Sequence, residues 1–246
     1  TEKNDQTRVF LVLLQNSDEL RPGGGFLGQY AVIKVKNGEV VSTFVEDANL
    51  LDQRITATIT PPYPFLRKMQ LKKWKFRDSN FSPDFPTNAE KAEYFYRLAG
   101  GREKFDGVIA VNSLTFNRIL DITGPIQIAG DSNIYTSADG AQKLEERVER
   151  AYLGEDVPAE LKQNRKQIMK KLAAEIMTRA VTVSNIPRLA EFTRDELRNK
   201  DVMLYFKDPA LQSLVESVHW DGSVTQDWDG DYLMLVDANM GALKTD

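Results

Sequence analysis

The strongest constraint on the fold is a series of short aliphatic runs separated by stretches with helical periodicity. Runs of strand length occur at residues 8–14, 106–111, 202–206 and 232–236. A near-continuous apolar run of this length is typical of a strand that is buried on both faces of a sheet. The sequence therefore predicts four buried strands, of which the last spans residues 232–236.

A β-hairpin is predicted between the first two of these runs. Two β-rich stretches, residues 26–36 and 39–45, flank the dipeptide Asn37-Gly38, which is a strong hairpin signal because both residues tolerate the turn's positive φ angles. Residues 47–63 are polar, rich in threonine and end in two prolines. We expect them to form an irregular excursion over the surface.

Helices are predicted between the strands. Thr87 and Glu90 have the spacing of a capping box, which predicts a helix from Thr87 to about Ala99. Further helices are predicted at residues 113–123, 137–153, 158–183 and 188–199, and from Pro209 with Asp208 as its cap. Because strands alternate with helices and no linker or repeat interrupts them, we predict one α/β domain over residues 1–246, with a mixed β-sheet covered by helices.

An arginine interrupts the apolar stripe of the longest predicted helix. The stripe recurs at steps of three and four residues and consists of Leu161, Ile168, Leu172, Ile176, Ala180 and Val183. Arg165 lies on the same stripe, and a buried guanidinium requires an anion because it does not lose its charge. Three interpretations are open: a structural ion pair, an arginine that reaches water at the edge of the stripe, or a bound phosphate or carboxylate ligand.

Composition excludes several kinds of chemistry. The chain has no cysteine and one histidine, His219, which excludes disulfides, thiol catalysis, cysteine-ligated metals and a zinc site built from several histidines. The net charge of −4 weighs against nucleic acid as a partner. The basic run Arg67-Lys68 and Lys72-Lys73-Trp74-Lys75 is either a solvated surface or a patch that attracts an anionic partner or lipid head groups.

A glycine-rich loop follows the first strand. Arg21 and Pro22 precede three consecutive glycines, but the residues that follow begin a strand, which excludes the Walker and Rossmann phosphate-binding patterns. Such a loop can present backbone N–H groups and one guanidinium to an anion. A flexible turn is the alternative.

A second polar cluster lies between residues 77 and 86, which read RDSNFSPDFP. Asp78 and Asp84 are candidates for metal ligands or acid–base groups, and equally for turn residues that bond to backbone N–H groups. Asp47 and Asp52 have weaker claims to the same roles. With Arg21 and Arg165, this cluster suggests a site for a phosphorylated ligand, with or without a divalent metal.

Several motifs resemble one bacterial family. Residues 13–28, 78–87, 106–111, 123–125 and 231–239 look like those of the family catalogued as domain of unknown function 4012. Members are typically cell-envelope proteins with an N-terminal membrane anchor and further sequence downstream. The resemblance therefore implies a piece of a longer, membrane-anchored chain with an extracytoplasmic location.

That family is in turn distantly similar to the LytR-CpsA-Psr enzymes, which transfer glycopolymers from polyprenyl-pyrophosphate carriers to the cell wall with arginines and a magnesium ion held by aspartates. The resemblance matches Arg21 to the arginine of their first loop and Asn80 to their asparagine-containing loop. Arg165, with Gln167 nearby, matches the start of their long helix. It makes Arg21, Arg77, Asn80, Arg165 and Gln167 candidate ligand-binding residues.

The departures from the enzymes concern the metal site. Gly23 occupies the position of an aspartate in the enzymes' first loop, and Glu46-Asp47 is the sole counterpart of their second arginine–aspartate pair. If the chain binds magnesium, Asp78 and Asp47 are the candidate ligands of the ion.

Two hypotheses follow from the resemblance. In the first, the chain binds a phosphorylated, glycan or lipid-carrier ligand or a cell-wall polymer without the full catalytic machinery, and Arg21 pairs internally with Asp78. In the alternative, it is an active magnesium-dependent phosphotransferase for polyprenyl-pyrophosphate-linked glycans, with Asp78 and Arg165 as catalytic residues.

Overall fold

A computed structural model describes residues 6–149, 159–225 and 227–239 of the chain. The chain divides into two compact units: the first contains the residues up to Asn112 and those from Lys200 onward, and the second is Ser113–Asn199. The first unit contains a mixed sheet with helices, so the mixed α/β class predicted from the sequence is confirmed. The assignment of residues 1–246 to one domain stays a prediction.

The secondary structure of the described residues begins with a strand and ends with a helix. The strands are β1 (Arg8–Asn16), β2 (Phe26–Lys36), β3 (Glu39–Asp47), β4 (Gly107–Asn112), β5 (Ile126–Gln127), β6 (Ile134–Tyr135) and β7 (Val202–Phe206). The helices are α1 (Ala48–Arg54), α2 (Tyr63–Lys68), α3 (Phe85–Leu98), α4 (Ser113–Thr123), α5 (Gly140–Glu149), α6 (Ala159–Ala180), α7 (Ile186–Arg198) and α8 (Pro209–Ser217), and a 3₁₀ turn lies at Phe76–Asp78.

The sheet of the first unit has the strand order β3-β2-β1-β4-β7. β1 lies at its centre and pairs antiparallel with β2 and parallel with β4, while β3 and β7 pair antiparallel at the edges. Leu11 and Leu13 of β1 are completely buried, as the aliphatic run predicted. The hairpin between β2 and β3 is also confirmed, and it turns at Asn37 and Gly38 with φ angles of 54° and 83°.

The core of the first unit combines aliphatic residues of the strands and helices with several aromatic residues. Tyr30 of β2 contacts Phe76 at a centroid distance of 5.2 Å, and Phe85 and Phe95 of α3 are completely buried. Edge-to-face contacts of this kind add to the stabilisation from apolar burial. They fix the 3₁₀ turn and α3, and with them the segment that contains Asp78 and Asn80.

Three predictions for the first unit are wrong. Residues 47–63 are not wholly irregular, because α1 and the start of α2 lie there. The cap of α3 is Asp84 and not Thr87: the Asp84 carboxylate accepts a hydrogen bond from the Thr87 backbone N–H at 3.0 Å. Aspartate is as good a cap as threonine, and Pro86 fits the first turn that follows it.

The third error is the strand predicted at residues 232–236. These residues have no regular secondary structure, and Leu233 and Leu235 are 86% and 88% exposed. An apolar run becomes a buried strand only where a neighbouring strand supplies hydrogen bonds and cover. Among the strands of the described chain, none pairs with this segment.

Within its described residues, the second unit contains the α-helices α4 to α7, the short β5–β6 hairpin and a 3₁₀ turn at Val183–Asn185. Its core contains Leu120, Ile126, Ile128, Tyr135, Ile168 and Leu172. Ile168 and Leu172 belong to the predicted stripe of α6, so the inward direction of the stripe is confirmed at these two residues. Within the residues that the structure describes, we find no helix that is long and apolar enough to cross a membrane.

Candidate functional site

Two loops of the first unit interlock through buried hydrogen bonds. The first loop, residues 17–25, follows β1, and the second, residues 77–84, includes the end of the 3₁₀ turn and precedes α3. The Gly23 N–H donates to the Asn80 carbonyl at 3.0 Å, and the Asn80 side-chain amide donates to the Gly25 carbonyl. Gln15 at the end of β1 donates to the Gly23 carbonyl at 2.6 Å. We call these two segments the loop pair.

The glycines of the first loop permit close contact between the two loops. A Cβ atom at Gly23 would lie 2.3 Å from the Asn88 side-chain nitrogen and 2.8 Å from the Asn80 carbonyl oxygen. Gly24 has a φ of 121°, which other residues rarely adopt. The N–H groups of Gly23 and Gly24 both donate to carbonyls within the loop pair. Two of the three N–H groups that could meet an anion are therefore engaged internally.

Arg21 is the buried cation of the loop pair, with only 1% of its side chain exposed. Its Nη2 lies 2.9 Å from a Glu19 carboxylate oxygen and 3.6 Å from an Asp78 carboxylate oxygen. Its Nη1 donates to the carbonyls of Leu20 and Asn239 at 3.1 and 3.2 Å. The predicted pairing of Arg21 with Asp78 is thus present, and Glu19 is a second carboxylate that the sequence reasoning missed.

Aromatic rings surround the same guanidinium. Its central carbon lies 5.3 Å from the centroid of Phe26 and 6.0 Å from that of Phe65. Contact with aromatic rings stabilises a cation, and more so where water is excluded. Arg21 therefore holds β2, α2 and the second loop together.

The Asp78 carboxyl is buried among charged groups. Burial raises the pKa of Asp78 above its ordinary value, although Arg21 and Arg77 act in the opposite direction. The backbone carbonyl of Asp78 also accepts a hydrogen bond from the indole N–H of Trp74 at 2.7 Å. Both the side chain and the backbone of Asp78 are therefore engaged within the unit.

Arg77 joins the second loop to α1 through another buried carboxylate. Its Nε lies 3.0 Å from an Asp52 carboxylate oxygen, and its Nη1 donates to the Asn49 side chain at 2.6 Å. The other oxygen of Asp52 accepts from the Phe76 N–H at 2.8 Å. Burial raises the pKa of Asp52 to about 6, against the opposing effect of Arg77. Asp52 is buried because it lies on α1, a helix that the sequence reasoning missed. No local feature of the sequence therefore marked Asp52 as a stronger candidate.

Two of the remaining acidic residues cap helices, and a third pairs with other side chains. Asp47 caps α1 and accepts from the Asn49 N–H at 2.7 Å. Asp84 caps α3 and also accepts from the Val224 N–H at 3.0 Å. Glu46 accepts from the Tyr30 hydroxyl at 2.6 Å and pairs with Arg54. The contacts of Asp84 match the turn role that the sequence left open as an alternative for it.

We also tested whether the acidic residues fit a magnesium ion. Across the part of the chain that the structure describes, no group of three or more histidine, aspartate or glutamate side chains is arranged to hold a metal. Asp78 faces Arg21 and Asp47 caps a helix, so neither side chain is arranged as a ligand in this conformation.

Some buried polar atoms of the loop pair have no hydrogen-bond partner among the described groups. They are Arg21 Nε, Ser79 Oγ and Asn80 Oδ1. A buried donor or acceptor without a partner is costly. These atoms are enclosed, so they mark positions where a buried water can bind and not a surface that a ligand reaches directly.

The structure brings Arg21, Asp78 and Asn80 together in the loop pair, with Arg77 at its edge. Arg165 and Gln167 lie on α6 of the second unit. The side chains of both residues lie outside the described part of the structure, so the ligand-binding roles predicted for them stay predictions.

Comparison with known proteins identifies the family. The mixed sheet and the loop pair define a mixed α/β protein with a buried arginine–carboxylate network. The profile of the family described as "Protein of unknown function (DUF4012)" matches residues 5–152, which is more than half of the chain. The chain therefore belongs to the DUF4012 family. No curated protein sequence matches it significantly.

Three solved structures are similar to the chain at low sequence identity. The Lin1025 protein from Listeria innocua is 11% identical, with a TM-score of 0.46, and the match covers 88% of this chain and 80% of that one. A structure titled transcriptional regulator yvhJ from Bacillus subtilis is 9% identical, with a TM-score of 0.45 and coverages of 91% and 80%. TagV from B. subtilis is 12% identical, with a TM-score of 0.45 and coverages of 89% and 81%.

Proposed function

We propose that this protein is an extracytoplasmic module of the bacterial cell envelope, attached to the membrane in its full-length form. It binds a phosphorylated, glycan or lipid-carrier ligand on a scaffold like that of the LytR-CpsA-Psr enzymes, without their full catalytic machinery. Membership of the DUF4012 family and the order of motifs along the sequence support this proposal.

The main support for the proposal is that the side chain of Arg21 is buried and already paired with carboxylates. This residue matches the arginine of the enzymes' first loop, where a guanidinium is needed to neutralise a pyrophosphate. Here its side chain is 1% exposed and already faces the carboxylates of Glu19 and Asp78. An arginine that is buried and paired in this way contributes to the structure of the loops, and it has little charge to offer a ligand.

The packing around Gly23 supports the same conclusion. The enzymes have an aspartate at this position, and the metal depends on such carboxylates. A side chain here would collide with Asn88 and with the backbone of Asn80, since even a Cβ atom would lie within 3 Å of each. The loop pair therefore has no room for that carboxylate without a rearrangement.

Ligand binding is proposed at the edge of the loop pair. Ser79 and Asn80 have unpartnered side-chain oxygens that are buried, so the hydroxyl groups of a glycan reach them only if the loops open. Arg77 has 39% of its side chain exposed and can meet a phosphate. Arg165 and Gln167 are included among the proposed ligand-binding residues only because of the resemblance to the LytR-CpsA-Psr enzymes.

The alternative, a phosphotransferase, is favoured by one observation. Burial raises the pKa values of both Asp52 and Asp78, and carboxyl groups with shifted pKa values occur often at active sites. Structural ion pairs shift pKa values as well, and both residues face arginines. The described side chains do not form a magnesium site, so we derive no step through that ion.

Thermal unfolding with and without a short-chain, water-soluble polyprenyl pyrophosphate tests the proposal. We expect the ligand to raise the melting temperature of the wild type, since about 2.7 kcal/mol of stabilisation accompanies a ligand at 100 times its Kd. Arg165→Ala should abolish the rise. Arg179→Ala, on the same helix, should retain it.

Magnesium distinguishes the two functions. A ligand-dependent rise that is independent of magnesium supports the binding module. A rise that requires magnesium and is accompanied by release of polyprenyl monophosphate supports the enzyme. If no variant and no condition shows a rise, the ligand class is wrong.

A further inference from the structure

A basic segment without any acidic residue stands apart from the rest of this acidic chain. Between residues 55 and 77 there are six lysines and arginines and no aspartate or glutamate, whereas the whole chain has a net charge of −4. Such asymmetry creates a local positive potential that the net charge of the protein does not reveal. The structure shows which of these side chains face solvent.

One face of α2 and the loop after it expose both cationic and apolar side chains. Tyr63 and Leu66 are 64% and 46% exposed. The exposed cations are Arg67, Lys68, Lys72 and Lys73. We call these six residues the basic-apolar patch.

The cations of the patch are not neutralised by neighbouring carboxylates. Among the described residues, no ion pair involves the four cations of the patch, whereas Arg77 pairs with Asp52 and Lys75 donates to the Asp52 carbonyl. Arg67 donates to the Tyr63 hydroxyl at 2.5 Å, which is an uncharged partner. The positive charge of the patch is therefore available to an external anion.

The patch is held in place from beneath. Phe65, on the opposite side of α2, is completely buried and packs on Phe81 at a centroid distance of 4.6 Å. Its ring also lies 6.0 Å from the Arg21 guanidinium. The position of the patch on the first unit is thus fixed by the same contacts that fix the loop pair.

The combination of side chains selects a membrane surface over a soluble polyanion. Lysines and arginines attract anionic head groups, and an exposed tyrosine and leucine on the same face enter the boundary between head groups and acyl chains. A soluble polyanion would meet the lysines but would give Leu66 no apolar environment.

We propose that the basic-apolar patch docks this unit onto an anionic phospholipid bilayer. Arg67, Lys68, Lys72 and Lys73 contact the lipid phosphates, while Tyr63 and Leu66 enter the interface. The docking orients the α2 side of the loop pair toward the lipid surface. This inference does not depend on the proposed function, because the patch binds head groups whether or not the loop pair binds a ligand.

Vesicle co-sedimentation tests the proposal with phosphatidylcholine vesicles that contain either no anionic lipid or about one third phosphatidylglycerol. We expect binding only to the anionic vesicles, and we expect it to weaken as salt is raised from about 0.1 M to about 0.5 M because the charges are screened. Equal binding to neutral vesicles, or none to anionic ones, would overturn the proposal.

A matched pair of charge reversals shows whether the patch carries the binding. Each lysine close to an anionic surface contributes about fivefold in affinity, so Lys72→Glu/Lys73→Glu should weaken binding by about 30-fold or more. Arg102→Glu/Lys104→Glu changes the net charge equally at exposed sites elsewhere on the same unit and should have a much smaller effect. Equal losses in the two variants would show that overall charge, and not the patch, determines binding.

Leu66→Ser distinguishes the bilayer from a soluble anion. Loss of the inserted leucine should weaken vesicle binding severalfold and leave the melting temperature unchanged, because the side chain is exposed. If Leu66→Ser binds the vesicles like wild type, and inorganic polyphosphate competes fully with them, the patch is a site for soluble anions and the membrane proposal is wrong.

Discussion

Removal of the Arg21 guanidinium should destabilise the first unit severely. Arg21→Ala leaves the Asp78 and Glu19 carboxylates, with 7% and 15% of their side chains exposed, without the cation between them. It also removes one hydrogen bond to each of the Leu20 and Asn239 carbonyls. Truncation of one member of a buried ion pair costs about 3–5 kcal/mol, and we expect the free energy of unfolding to fall by that amount.

A double-mutant cycle with Asp78→Asn separates the ion pair from the loss of packing. The neutral asparagine removes the uncompensated charge that Arg21→Ala leaves behind. The double variant should therefore be about 1–3 kcal/mol more stable than the sum of the two single changes predicts.

Urea unfolding followed by tryptophan fluorescence is the appropriate assay. All three tryptophans of the chain, Trp74, Trp220 and Trp228, belong to the first unit, so the signal reports on the unit that contains the loop pair. Arg102→Ala is the control, since removal of an exposed arginine should change stability by less than about 0.5 kcal/mol. If Arg21→Ala is no less stable than this control, or if the two changes at Arg21 and Asp78 are additive, the structural role that we assign to Arg21 is refuted.

Three further predictions concern the same unit. Gly23→Ala should lower the free energy of unfolding by about 1–3 kcal/mol through overpacking. Gly28→Ala should not lower it, because a Cβ atom at Gly28 meets nothing within 4 Å. Equal urea midpoints for the two variants would contradict this. The folded state raises the pKa of Asp52 to about 6 and so binds its proton more tightly than the unfolded state does. The stability of the wild type should therefore fall, relative to Asp52→Asn, by about 2 kcal/mol as the pH rises from about 4 to about 7; a pH-independent difference in urea unfolding would contradict this. Asp84→Ala should lower the unfolding free energy by about 1–2 kcal/mol because α3 loses its cap, and an unchanged value would show that the cap contributes nothing.

The strands of the sheet could be predicted because their signals are local. The aliphatic run of β1 and the Asn37-Gly38 turn between β2 and β3 each determine the local backbone without help from distant residues. The apolar run at residues 232–236 has a similar composition but no neighbouring strand. The exposure of this segment depends on tertiary packing, which cannot be predicted from the periodicity of apolar residues.

The candidate site could be predicted only in part for the same reason. Arg21 and Asp78 are predictable as charged residues in loops with unusual glycine and proline content, and Asn80 through the resemblance to the LytR-CpsA-Psr enzymes. Glu19 and Asp52 carried no such signal, because their importance comes from burial beside an arginine. The ion pairs join residues that are far apart in the sequence, so only the folded chain reveals which carboxylate neutralises which guanidinium.

The most direct test of the central claim is incubation with a polyprenyl-pyrophosphate-linked oligosaccharide, magnesium and a cell-wall polymer as the acceptor, followed by chromatographic separation of the lipid products. We predict that the wild type binds this compound and that the compound is recovered intact, with no release of polyprenyl monophosphate. Release over repeated turnovers by the wild type, abolished in a folded Asp78→Asn variant, would contradict the binding-module proposal and identify the protein as a phosphotransferase.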